Sequence, residues 1–258
     1  MAAIETIDLT KSYGNHTAID DINLTVRNGE VFGFLGPNGA GKSTTLNILL
    51  GYTRRYEGTV TVLGHDVQTG SRAARERIGV LSENYALYDR LTGVEHLRLA
   101  QRLKRTEADI DGILERVGLS RDAAERRTAG YSTGMRQRLA LATAIVGDPD
   151  LLILDEPSSG LDPNGVALLR QLIQTEAESG TAVFFSSHIL EHVESVCDRV
   201  GILNNGQLAA IGSMNELRDE LDPGSSNENA LEAIFEAHTA ETEPVEPHRT
   251  ISDEDTVV

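Results

Sequence analysis

Residues 31–51 read VFGFLGPNGAGKSTTLNILLG. The first five, VFGFL, are apolar without alternation, which predicts a strand buried on both faces. The last eight, TTLNILLG, carry helical spacing. Between them residues 36–43, GPNGAGKS, fit GxxxxGK[ST] at every fixed position, and that strand–loop–helix context makes the segment a nucleotide site. A polyphosphate needs several backbone N–H groups converging at close range. Gly36, Gly39 and Gly41 leave the chain free to wrap it, Pro37, Asn38 and Ala40 complete the cradle, and the helix entered at Thr44 offers its positive end. Lys42 reaches the outer phosphates, and the Ser43 hydroxyl holds Mg²⁺.

Working outward, the chain has 258 residues, 40% of them apolar, enough for one α/β domain with a subdomain. No apolar run approaches the roughly 18 residues of a bilayer span, and the N-terminus has neither a basic start nor an apolar signal core, so a soluble, cytosolic chain is expected. The one cysteine, Cys197, suits a reducing compartment and an inert packed role. The formal charge is −17, and residues 219–258 hold 12 acids and one base. The ending HTAETEPVEPHRTISDEDTVV reads as an acidic, disordered tail over 239–258. Net negative charge argues against nucleic acid as a partner. With three lysines among 23 basic residues, the composition resembles that of proteins from salt-loving organisms.

The periodicity switches along the chain. Residues 3–9 and 17–26 alternate as strands, 57–63 give another, and from Thr92 to about Arg127 the pattern is helical, with breaks at Thr106 and near Gly118. Beyond residue 149 come strand LLIL, a helix from Pro163, strand TAVFF, a helix from Ile189, strand RVGIL, a hairpin at NNG and strand QLAAI. That alternation predicts a mostly parallel sheet covered on both faces. A short amphipathic helix, ALEAIFEA, aligns Leu231, Ile234 and Phe235 to pack back on the domain.

Residues 151–157, LLILDEP, supply the second half of the nucleotide site. Ligands in parallel sheets bind at the carboxyl ends of strands, which puts Asp155 and Glu156 beside the phosphates. Asp155 suits Mg²⁺ through oxygen, and Glu156 is placed to orient and deprotonate the attacking water.

Between these halves lies YSTGMRQRLALATAIVGDP, residues 131–149, and with it the chain resembles the ATP-binding cassette (ABC) family. The family signature LSGGQ followed by RQR matches Ser132, Gly134 and Arg136-Gln137-Arg138. Tyr13, in KSYG, fits the aromatic that stacks on adenine; residues 159–162 with Pro163, in EPSSGLDP, fit the D-loop with Asp162; His188, in FFSSHIL, fits the switch histidine near the γ-phosphate. The resemblance covers about residues 3–217. It implies a P-loop NTPase α/β fold with an N-terminal antiparallel β subdomain and an inserted α-helical subdomain over about 85–147, inside an ATPase domain of residues 1–217. A C-terminal extension over 218–238 follows. Asp162 also reads as a helix N-cap ahead of Pro163, and Ser132 as another. HILEH at 188–192 matches the HxxEH zinc pattern, but that pattern needs both histidines on one helix, whereas His188 directly follows a strand.

The chain departs from the family at the Q-loop and in the signature. Glu83, in IGVLSENYALY, stands where a Q-loop glutamine is usual; a carboxylate can contact Mg²⁺ but donates no amide hydrogen bond. The signature reads YSTGM, so Met135 replaces its glutamine, and Thr133 replaces a glycine and crowds the backbone there. These substitutions look like those of export-type subunits acting in drug, antibiotic, ion or lipid efflux. The implied mechanism is an ATP sandwich: two copies, or a copy and a paralogue, meet head to tail around two Mg-ATP, with the 36–43 loop of one facing the 132–134 signature of the other. Transmembrane permease subunits dock in a groove for which Tyr85, Leu87, Tyr88 and Leu91 are candidates, and which places the chain on the cytoplasmic face of the membrane. The alternatives are a soluble ABC ATPase of DNA repair or translation and a nucleotide-sensing module. The first carries long coiled coils or two cassettes, and the second should lack Glu156. A P-loop GTPase needs NKxD, and no lysine of this chain follows an asparagine.

Overall fold

A computed structural model describes residues 2–70, 72–219 and 235. Strands β1 (Ala2–Tyr13), β2 (His16–Arg27), β4 (Glu57–Val62) and β5 (His65–Asp66) form an antiparallel sheet in the order β2-β1-β4-β5. Strands β3 (Val31–Leu35), β6 (Ile78–Leu81), β7 (Leu151–Asp155), β8 (Ala182–Ser187), β9 (Arg199–Asn204) and β10 (Gln207–Ser213) form a second sheet, ordered β10-β9-β3-β8-β7-β6. Every neighbouring pair in it is parallel except β9 with β10, the hairpin closed at residues 205–206. The expected fold class, an antiparallel sheet beside a mostly parallel one with helices, is the observed one.

Alternation along the buried strands sorts side chains to two faces. Phe32, Phe34, Ile153 and Phe184 point toward the antiparallel sheet and α1 (Lys42–Leu49), where they meet Ile4, Leu24 and Leu46. Phe184 stacks on Phe32 at 5.7 Å and lies 5.3 Å from Phe34. Each such ring contributes about 1.5–3 kcal/mol through burial. Leu35, Leu152, Leu154, Val183 and Phe185 point the other way, onto helices that include α3 (Gly93–Lys104), α4 (Ile110–Arg116), α5 (Arg121–Ala124), α6 (Thr133–Ile145) and α7 (Pro163–Glu178). Thr92 and Glu95 close a capping box on α3, and Ser120 caps α5. The breaks expected at Thr106 and Gly118 fall between these helices.

The structure extends or adds several elements. Strand β1 runs on to Tyr13 because a register shift between Thr6 and Leu9, with Asp8 at φ 51°, resets the alternation that the sequence shows as ending. Elements β5, β6, α2 (Arg72–Glu76) and α9 (Met214–Asp219) are two to six residues long, too short to carry a period. The helix expected from Ile189 begins one residue later, as α8 (Leu190–Glu194). Phe235 is helical and half-buried against the core; Leu231, Ile234 and the 239–258 tail lie outside the described residues. Cys197 is packed beside Gly33, and burial pushes its thiol well up. Among the described residues no helix is long and apolar enough to cross a membrane.

Candidate functional site

In the parallel register Leu35 lies beside Ser187, Asp155 beside Ser186, and Leu81 beside Leu154. One carboxyl edge of the sheet therefore launches the 36–41 loop, Glu83, Glu156 and His188 together.

The loop's glycines divide in purpose. A Cβ at Gly36 would stand 2.4 Å from the Leu203 carbonyl oxygen, and one at Gly41, with φ 110°, 2.6 Å from that of Ala18. These two let the loop sit down on β2 and β9. Gly39, at φ 84°, borders open space, so it serves the curvature of the cradle. Asn38 is exposed, Pro37 half-buried, and Ala40 buried with its carbonyl accepting from Gly206 N–H at 2.9 Å. Lys42 opens α1 and is 8% exposed; its Nζ donates to the Gly36 carbonyl at 2.6 Å and that of Pro37 at 3.2 Å. Burial pushes the Lys42 ammonium below its usual range, while the carboxylates of Glu156, Asp155 and Glu83 pull it back up. Thr44 is half-buried on the first turn.

Ser43, Glu83 and Asp155 line one cavity of about 230 Å³ with Asn47, Ser82 and Asn84. A hydroxyl and two carboxylates are an oxygen donor set that suits a hard divalent cation such as Mg²⁺. Asp155 is oriented by Ser186, whose hydroxyl donates to Oδ1 at 2.5 Å. Glu156 takes the left-handed conformation, φ 48°, and its N–H donates to Ser186 at 3.3 Å. That turn brings the nearly buried carboxylate within 2.9 Å of His188, Oε2 to Nδ1. His188 precedes α8 while His192 lies on it, so HILEH does not form the zinc arrangement, and among the described residues no three His, Cys, Asp or Glu side chains group around a metal position.

The remaining candidates lie elsewhere. Tyr13 ends β1, half-exposed, with Lys11 Nζ 4.5 Å from its ring centre. Ser132 caps α6 through Met135 N–H at 3.3 Å, and Gly134 follows on its first turn; neither lines the 230 Å³ cavity. Asp162 caps α7 through Gly165 N–H at 2.9 Å and lies 3.6 Å from Arg138. Tyr85 and Leu87 pack against the core, while Tyr88 stays exposed. Sequence reasoning missed Ser186 and the partner of His192, Ser158 at 2.9 Å. The signal for Ser186 was two serines closing an otherwise apolar strand; the 158–192 contact had none.

A family model described as ABC transporter matches residues 19–159. An uncharacterized ABC transporter ATP-binding protein, all4389 of Nostoc, is 43% identical, over 84% of this chain and 68% of its own length. Nod factor export ATP-binding protein I of Rhizobium meliloti is 37% identical, over 93% and 75%. Among solved structures, the chain is similar to an ATP binding subunit of an ABC transporter, with TM-score 0.81 and 29% identity over 90% of this chain and 99% of that one. It is also similar to the dimeric bacterial ABC transporter cassette MJ0796, with TM-score 0.75 and 25% identity over 82% and 98%.

Proposed function

We propose that this chain, which belongs to the ABC transporter family, is the ATP-hydrolysing subunit that drives substrate export through separate membrane-crossing subunits. The observation that carries the reading is the carboxylate of Glu156, turned toward His188 at the sheet edge that also bears the phosphate loop and Asp155. Loop N–H groups and Lys42 bind the ATP polyphosphate, and Tyr13 offers an exposed ring to the adenine. Ser43, Asp155 and Glu83 would hold Mg²⁺, which supplies charge neutralisation between the outer phosphates when bound.

Glu156 accepts the proton of the attacking water. His188, donating from Nδ1 to Oε2, takes the tautomer with that proton and keeps the carboxylate oriented. Ser132, Gly134 and Asp162 contact the nucleotide of a second copy or a paralogue, head to tail; the dimeric MJ0796 cassette supports that arrangement. Residues 1–217 are read as the ATPase domain, with 85–147 as its helical insertion and 218–238 as an extension. The chain works at the cytoplasmic face of the membrane, and its net charge of −17 speaks against a nucleic-acid partner.

Glu156→Gln tests the assignment. Turnover should fall by about 10²–10⁴, with ATP now trapping a dimer on gel filtration. Phosphate release at the parent rate would sink it. For transport, the chain should copurify with a multi-span protein from detergent-solubilised membranes; recovery only on DNA or ribosomes would favour a soluble role.

A further inference from the structure

Glu156 and Ser158 stand two residues apart in the loop after β7, and His188 and His192 four apart across the start of α8. The structure joins them as two rungs: His188 Nδ1 to Glu156 Oε2 at 2.9 Å, and His192 Nδ1 to Ser158 Oγ at 2.9 Å. Pro157 between them is held from a third side, its carbonyl accepting from Gln137 Nε2 of α6 at 2.8 Å. Three consecutive residues are thus tied to α6, to α8 and to the turn before α8, and the first of them is the base assigned above, with its backbone at φ 48°.

The rungs differ in shelter. The His188 side chain is 57% exposed, so solvent competes for its bond. Ser158 is 8% exposed and His192 half-buried, at one wall of a cavity of about 630 Å³ that Glu156, Arg170 and Glu191 also line. A sheltered hydrogen bond keeps its geometry better than a solvated one.

We propose that His192 is a positioning residue for hydrolysis: through Ser158 it anchors the loop that carries Glu156 and so fixes where the carboxylate points. The ring faces Arg170 from α7, Glu156 from the β7 loop, and Glu191 and His188 from its own segment. Burial first, then Arg170, push its pKa below the usual histidine range, with Glu191 and Glu156 opposing. A neutral ring can accept from the Ser158 hydroxyl or donate to it, so the rung survives either tautomer.

The inference rests on Glu156 as base, and the experiment separates the two. Steady-state ATPase kinetics are measured for H192A, S158A, their double variant and H192N, with thermal melting of each. H192A and S158A should each lower kcat about tenfold, with KM for Mg-ATP held within about twofold, as misorientation does. The double variant should fall no further than the worse single one. H192N, whose amide nitrogen replaces Nδ1, should restore kcat to within about twofold. An unchanged kcat in H192A, effects that multiply in the double variant, or losses that track the melting temperature would each overturn the proposal. In an E156Q background H192A should cost nothing more. An E156Q variant that hydrolyses at the parent rate defeats the base assignment, while non-additivity of the 158 and 192 variants still reports the rung.

Discussion

The phosphate-loop half of the site and the signature half are built in opposite ways. The first grows from the edge of a buried sheet, and its groups hold one another: Lys42 on two loop carbonyls, Ser186 on Asp155, His188 on Glu156. The second is a helix start, where Ser132 is exposed and bonds only its own first turn. Chemistry that needs fixed geometry sits where register fixes it. On the proposed reading this surface meets its nucleotide only on association, and it can stand open until then.

The sharpest test of that contrast is Lys42→Ala. Removing the cation should lower turnover by about 10²–10³, read as phosphate release; a loss under tenfold would mean the loop half is less organised for catalysis than its bonds suggest. Next comes one substitution made in both halves. Gly41→Ala forces a side chain onto φ 110° and against the Ala18 carbonyl, and should cost about 1–3 kcal/mol in melting experiments. At Gly134 a Cβ meets only the Gly160 carbonyl oxygen at 3.7 Å, so Gly134→Ala should raise stability by up to about 1 kcal/mol as a helix substitution. Its turnover should fall nonetheless, because the added methyl obstructs approach to a phosphate. If Gly134→Ala melts as low as Gly41→Ala, the open-surface description of the signature half fails.

Ser132→Ala should cost about 1 kcal/mol through the lost cap, with a larger proportional loss of activity than of stability. A pH-dependent effect concerns how the signature helix is tied down. Lys104 Nζ donates to the Ala144 and Val146 carbonyls at its far end, and burial brings the ammonium down to about 8 from 10.5. Between pH 8 and 10 the unfolded chain then holds the proton that the folded chain gives up, so stability should rise with pH across that window. Above pH 10 Tyr56, whose pKa burial raises to about 12, acts in the opposite sense. Lys104→Met should flatten the rise; a curve unchanged by it would show that the lysine is not titrating there.

The same division governs what the sequence made legible. Features that repeat locally could be read directly: VFGFL, LLIL and TAVFF as buried strands, the 36–43 loop, and Asp155-Glu156 at a strand end. So could the Asp162 and Ser132 caps, which depend on neighbours three residues away. Contacts set by register across the sheet or between loops were not legible. Ser186 reaches Asp155 because β7 and β8 pair in parallel, and Ser158 reaches His192 because the loop after β7 meets α8, 34 residues further along the chain. Thr133 shows both sides: the sequence marks it as a bulky residue in a glycine position, but only the fold shows its methyl against Gly160, where a Cβ would approach to 2.6 Å.

In a chain with three lysines, each gives its ammonium to backbone carbonyls: Lys11 to Arg55 beside the Tyr13 ring, Lys42 to the phosphate loop, Lys104 to the end of the signature helix. Acylating reagents consequently have three side-chain amines to find, one at each functional quarter of the molecule. Mass spectrometry of a brief acetylation, with and without nucleotide, would report the Tyr13 ring, the 36–43 loop and the far end of α6 as three separate channels.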